Sequence, residues 1–68
     1  MAINKKQQDF IMEYISNGFN AVQAYQTAYP TSTYSTARTN AYKLLANKEI
    51  KAEIEYNNEE NKNANLNY

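Results

Sequence analysis

The chain has 68 residues, which allows one small domain with a small hydrophobic core. It contains no cysteine and no histidine. Disulfides and thiolate metal sites are therefore excluded, and the commonest general base and metal ligand is missing. No apolar run approaches the roughly 20 residues of a membrane span, and the first residues do not resemble a signal peptide. These properties disfavour an enzyme, and we expect neither a cofactor nor a membrane partner.

The net charge is zero, but the charges are unevenly distributed along the chain. Six basic and three acidic side chains give residues 1–51 a net charge of +3, and residues 52–68 have −3 from one basic and four acidic side chains. A mildly basic body with an acidic tail is compatible with DNA binding without requiring it, because nucleic-acid-binding domains are usually more basic.

The first predicted helix covers residues 5–16, with Asn4 as its N-cap. Its apolar side chains recur at helical spacing and define a one-sided stripe: Phe10, Ile11, Tyr14 and Ile15. Asn17 and Gly18 end it, since glycine accepts the left-handed conformation of a C-cap. Asp9 and Glu13 share one helical face beside lysines, which favours a solvated surface over a cation site.

The second predicted helix covers residues 21–28 and is short. Asn20 and Gln23 have the spacing of a capping box, and Phe19 is placed to pack against Ala24 as a hydrophobic staple. Three tyrosines lie on apolar stripes, and we expect them in the core: Tyr14, Tyr25 and Tyr29. Pro30 then places a turn before the next helix, because the residue before a proline avoids the helical region.

The third predicted helix begins after Ser32 or Thr33 and continues to about Leu45. Its buried face consists of small and aliphatic residues: Ala37, Ala41, Leu44 and Leu45. Hydroxyl, aromatic and basic side chains point away from that face: Ser35, Thr36, Thr39, Tyr42 and Lys43, with Arg38 on the flank and Tyr34 near the buried edge. No acidic residue occurs between Thr31 and Lys48.

The fourth predicted helix covers residues 48–56, is capped by Asn47 and buries Ile50 and Ile54. Half of the residues 57–68 are asparagine, which predicts a polar tail, either a frayed helix or the start of a linker. The predicted architecture is all-α, a small bundle of three to four helices containing a helix-turn-helix. Residues 1–56 are the predicted domain and residues 57–68 the tail.

A short helix, a turn and a longer helix in residues 20–45 match the order of a helix-turn-helix, whose second helix enters the major groove of DNA. Hydroxyls and basic side chains on that helix suit phosphate oxygens and base edges. The same residues are also compatible with helix capping and solvation, in which case the chain is a small helical protein-interaction module. Eight candidate DNA-binding residues follow: Ser35, Thr36, Arg38, Thr39, Tyr42 and Lys43 on the third helix, and Lys5 and Lys6 at the start of the first. The two lysines of the first helix are the predicted phosphate contacts.

Three segments together resemble the small subunit of bacteriophage terminases. KQQDFIMEY at residues 6–14 is similar to the family's K-Q-x-x-F-x-x-x-Y opening, and NAVQAY at residues 20–25 to its N-A-x-x-A-A second helix. The pair TA at 36–37 and LLANKEI at 44–50 resembles T-A … L-L-x-N-P-x-V. Two departures are AYPTST at 28–33, where A-G-Y-S is usual, and NKEI at 47–50, which lacks the proline that is common there.

The resemblance implies a non-catalytic protein that recognises the packaging site of a viral genome in the cytoplasm of the bacterial host. Such proteins present this DNA to the large terminase subunit, which is the motor and nuclease. The residues here match the N-terminal DNA-binding domain, so we expect the isolated domain to be monomeric. Ring assembly of the full-length protein and contact with the large subunit are implied through other parts. A helix-turn-helix transcriptional regulator remains an alternative and would require a palindromic operator and a stable dimer.

Overall fold

A computed structural model describes residues 3–66, with side chains described as far as Glu59. These residues form four α-helices: α1 (Lys5–Ser16), α2 (Ala21–Ala28), α3 (Tyr34–Ala46) and α4 (Lys48–Leu66). Helix α1 packs on α2 and α4, and α3 packs on the same two helices. The all-α class predicted from the sequence is confirmed. No helix in residues 3–66 is long and apolar enough to cross a membrane.

Helix α1 begins as predicted, and its first turn is closed by a reciprocal capping box. The backbone N–H of Gln7 donates to the side-chain oxygen of Asn4 at 2.8 Å, and the Asn4 N–H donates to the side-chain oxygen of Gln7 at 2.9 Å. Two backbone donors that a helix start leaves unpaired are satisfied in this way.

The turn from α1 to α2 is a Schellman-type ending. Gly18 has a φ of 81°, and the backbone N–H of Phe19 donates to the Tyr14 carbonyl at 2.8 Å. The Phe19 ring meets the Tyr14 ring edge-on, with centroids 5.3 Å apart, which is the apolar contact that accompanies this motif. Phe19 itself has a φ of 69°, so a bulky residue adopts the left-handed region here.

Helix α2 is capped by Asn20, but the predicted capping box is only half formed. The Gln23 N–H donates to the Asn20 side chain at 3.1 Å, whereas the backbone N–H of Asn20 donates to the side-chain oxygen of Asn17 at 2.9 Å. Asn17 therefore takes the place that the Gln23 side chain has in a complete box.

The connection between α2 and α3 is a turn held by its own side chains. Ser32 donates its hydroxyl to the Tyr29 carbonyl at 2.7 Å, and Thr33 caps α3 by accepting from the Thr36 N–H at 3.2 Å. A short α2 of 8 residues followed by an α3 of 13 residues is consistent with the predicted helix-turn-helix.

The core lies where the four helices meet, and much of it is alanine. Its buried members are Phe10, Ile11, Ala21, Ala24, Tyr25, Ala28, Ala37, Ala41 and Ile50. Small side chains on α2 and α3 allow these helices to approach closely around the Phe10 ring, which meets Tyr25 edge-on. The Tyr25 hydroxyl accepts from the Asn40 side chain at 3.1 Å, so this polar atom is paired. Of the three tyrosines expected in the core, Tyr25 is buried, and Tyr14 and Tyr29 are half-buried.

The predicted end of the fourth helix near Tyr56 is wrong, because α4 continues to Leu66. No glycine or proline follows Pro30, so nothing in this segment breaks a helix. Asn57 donates its side-chain amide to the Glu53 carbonyl at 2.8 Å, one turn earlier in the same helix. The helix therefore continues through this asparagine-rich segment. The separation of residues 57–68 from the domain stays a prediction.

Candidate nucleic-acid interface

The outward face of α3 carries a shallow concavity open to solvent. Its lining comprises five side chains: Tyr34, Ser35, Arg38, Thr39 and Tyr42. Ala37 and Ala41 are completely buried on the opposite side, so burial of this alanine face sets the rotation of α3. Four of the six predicted α3 residues thus come together. Thr36 and Lys43 are also exposed but lie outside this concavity.

Tyr34 is the residue of this face that sequence reasoning missed. Its angular position on the helix is near the buried edge, yet 62% of the residue is exposed. Tyr34 is the first residue of α3, and a helical angle alone does not show where along the axis a neighbouring helix stops covering it. Tyr42, at 59% exposure, lies on the polar face as predicted.

Hydrogen bonds within α3 limit which side chains can donate to a ligand. The Thr39 hydroxyl donates to the Ser35 carbonyl at 3.3 Å, and the Thr33 hydroxyl donates to the Thr36 hydroxyl oxygen at 3.1 Å. Arg38 has five N–H donors, and no hydrogen bond or salt bridge to its side chain occurs in the part of the chain with described side chains. Arg38 is therefore the main donor of the concavity.

Basic charge on this face is not offset by acidic residues of the same helix. Residues 31–47 contain Arg38 and Lys43 and no aspartate or glutamate. Lys43 lies in the last turn of α3, where it also complements the negative end of the helix dipole. The face therefore suits an anionic partner.

The two lysines predicted at the start of α1 are engaged within the fold. Lys5 forms an ion pair with Asp9, with Nζ–O distances of 2.8 and 3.0 Å. Lys6 donates to the Ala28 carbonyl at 3.4 Å and lies 5.5 Å from the centre of the Tyr29 ring. Lys6 therefore caps the C-terminal end of α2, where a positive charge is favourable. Their prediction as phosphate contacts remains untested.

Tyr29, beneath Lys6, stacks on Tyr25 with ring centroids 4.2 Å apart. Burial raises the pKa of the Tyr29 hydroxyl above its ordinary value of 10.0, and the nearby Tyr25 and Asp9 raise this pKa further. The phenol is thus neutral at physiological pH and belongs to the packing of α1 on α2.

A second depression, lined by residues of α1 and α2, has the opposite character. Its lining comprises two carboxylates, an exposed methionine and two hydroxyl side chains: Asp9, Glu13, Met12, Ser16 and Thr27. Carboxylates repel phosphates, so this surface between α1 and α2 does not suit DNA. The sign of the charge distinguishes the two concave surfaces.

Comparison with known proteins identifies one family. The family model described as terminase small subunit matches residues 3–67. The match spans nearly the whole chain, including all four helices. No curated protein and no solved structure matches the chain.

Proposed function

This chain belongs to the terminase small subunit family, and from that premise we propose that it is a non-catalytic DNA-binding domain for viral genome packaging. In this proposal it recognises double-stranded DNA at the packaging site and presents it to the large terminase subunit. Both recognition and presentation of the DNA take place in the cytoplasm of the bacterial host. Family membership supports the packaging role, and the surface of α3 supports the contact with DNA.

The observation that carries the proposal is the outward face of α3. Arg38 lies between two exposed tyrosines in one concavity, on a helix without acidic residues. Arginine fits the guanine edge and the phosphate with paired N–H groups, and an α-helix fits the width of the major groove. Ser35 and Thr39 on the same face have hydroxyl oxygens that can accept from base amino groups.

The other candidates have smaller roles in this proposal. Lys43, beside the concavity, contacts a phosphate as a point charge. Lys5 contributes less, because a phosphate must compete with the Asp9 carboxylate that already binds its Nζ. Lys6 contributes little, since it is bound at the end of α2. The start of α3, where the Thr36 N–H donates to the Thr33 cap, lies close to the backbone of the DNA in this proposal.

The test is a fluorescence-anisotropy titration of duplex DNA from the adjoining genome at about 50 and about 200 mM salt. We expect affinity to fall steeply with salt because phosphate contacts release counterions. Arg38→Ala should weaken binding by about 1–3 kcal/mol, and Lys43→Ala should reduce the salt slope by about one. Lys51→Ala removes an exposed charge that lies on α4 and is the matched control. It should change neither the affinity nor the salt slope.

Salt-insensitive binding to a protein, with no binding to DNA, would contradict the proposal and favour the protein-interaction module. Equal losses for Arg38→Ala and Lys51→Ala would reject the α3 face as the site. The presentation of DNA to the large subunit is tested separately by co-purification of that subunit with the parent chain, with and without DNA. Capture that requires the duplex is the expected result.

A further inference from the structure

The exposed face of α3 carries a regular stripe of three long side chains. Tyr34, Arg38 and Tyr42 follow one another at intervals of four residues and line the same concavity. Residues four apart in a helix lie on nearly the same face and about 6 Å apart along the axis. One aromatic ring therefore lies about one turn before the guanidinium, and another about one turn after it.

This stripe is more apolar than phosphate binding requires. The two tyrosines are 62% and 59% exposed, and no aromatic partner stacks on either ring in the part of the chain with described side chains. Exposed rings cost solvation free energy that burial against a partner would recover. A partner that is apolar at two points and hydrogen-bonding between them would bury both rings and pair the guanidinium.

Duplex DNA has one apolar group on the edges of its bases in the major groove. That group is the C5-methyl of thymine, and guanine is the base whose O6 and N7 together accept a bidentate arginine. Base faces are stacked inside the duplex, so tyrosine rings that enter the groove meet edges and methyl groups. At roughly 3.4 Å per base step, a spacing of about 6 Å corresponds to about two base pairs.

We infer that α3 reads a guanine with Arg38 and a thymine methyl on each side of it, about two base pairs away, with Tyr34 and Tyr42. This inference rests on the proposed function and adds to it the kind of sequence that the domain prefers. Tyr34 and Tyr42 are then specificity-determining residues, and their rings matter more than their hydroxyls.

The first step of the test is selection of preferred duplexes by the parent chain from a pool with a randomised central segment. The selected duplex is then synthesised with uracil in place of each flanking thymine, which removes the methyl group and leaves the pairing unchanged. Loss of one buried methyl should weaken binding about fourfold, from about 0.8 kcal/mol per buried carbon.

The variants assign each methyl to a ring. Tyr34→Ala should abolish the effect of uracil on one side of the guanine, and Tyr42→Ala on the other. The corresponding phenylalanine variants should keep it. Tyr56→Ala is the matched control, because Tyr56 is 64% exposed but lies on α4 outside the concavity. It should behave like the parent chain.

The outcomes separate this inference from the function on which it rests. Uracil effects that disappear only in the Tyr34 and Tyr42 alanine variants would support the inference. Salt-dependent binding that still requires Arg38 but is indifferent to uracil would overturn the inference and leave the proposed function standing. Absence of salt-dependent DNA binding in the parent chain would overturn both.

Discussion

The surface around α1 and α2 and the outward face of α3 use similar side chains in different ways. Beside α1, Lys5 is paired with Asp9, and Lys6 lies on the end of α2 over the Tyr29 ring. On α3, Arg38 and its flanking tyrosines have no salt bridge or aromatic partner within the residues whose side chains are described. The first region uses its polar and aromatic groups to hold helices together. The second presents them to solvent.

This difference shows that composition alone does not identify a binding surface. Lysine and tyrosine occur in both regions, and the sequence makes Lys5 and Lys6 candidates for DNA contact as well as Arg38. Intramolecular partners distinguish the two regions, because a group already paired must lose that contact before it binds a ligand. The expected effects of substitutions should therefore fall into two classes, loss of stability around α1 and loss of DNA affinity on α3.

The largest expected effect is on the fold itself. Phe10 is completely buried among α1 and α2, and Phe10→Ala should cost about 3–5 kcal/mol of unfolding free energy. A domain of this size has only about 3–10 kcal/mol in total, so much of the variant should be unfolded. Urea unfolding followed by circular dichroism measures the change. Tyr42→Ala is the control and should stay within about 0.5 kcal/mol of the parent, because the ring is exposed. Equal losses of unfolding free energy in both variants would contradict the division between a stabilising region around α1 and an exposed face on α3.

A smaller effect is expected at the turn that joins α1 to α2. Gly18 has a φ of 81°, and a Cβ built there meets nothing within 4 Å, so substitution acts on backbone conformation alone. Gly18→Ala should lower the unfolding free energy by about 1–2 kcal/mol, and Gly18→Asn by less, since asparagine tolerates the left-handed region. Thermal unfolding compares the two. DNA affinity of the folded protein should be the same for both variants. A lower affinity would show that the turn and the α3 face are coupled.

The smallest expected effect depends on pH. The pKa of Tyr29 is raised in the folded chain, so folding favours the neutral phenol. Its contribution to stability is complete below the ordinary value of 10.0 and is lost as the pH rises through the folded pKa. The Tyr29→Phe variant cannot ionise at this position. Its unfolding free energy should therefore fall less than that of the parent as the pH rises above 10.0. Chemical unfolding at several alkaline pH values measures the difference. Parallel losses in both chains would show that Tyr29 ionises as freely in the folded state as in the unfolded chain.

The bounds of α1 and α2 were predictable because their signals are local. Asn4, Asn20 and Gly18 each act within a few residues, and both helices begin and end at the predicted positions. The end of α4 was not predictable from the asparagine content, since a residue with modest helix propensity does not stop a helix that nothing else breaks.

The candidate site was predictable where it depends on one helix alone. The period of α3 placed Ser35, Thr39 and Tyr42 toward solvent and Arg38 on the flank of the apolar face, and the structure brings the four together. The engagement of Lys6 depends on the end of α2 lying beside the start of α1, which is a contact between distant parts of the chain. No local pattern contains that information.

The most direct test of the α3 interface is an NMR titration of the isotope-labelled chain with duplex DNA from the adjoining genome. Amide shifts should concentrate in residues 34–43, with smaller changes at the start of α1 around Lys5. Arg38→Ala should suppress the α3 shifts, whereas Lys51→Ala should preserve them. Shifts concentrated in the acidic depression around Met12 and Glu13, with α3 unaffected, would contradict the assignment of α3 as the DNA-binding surface.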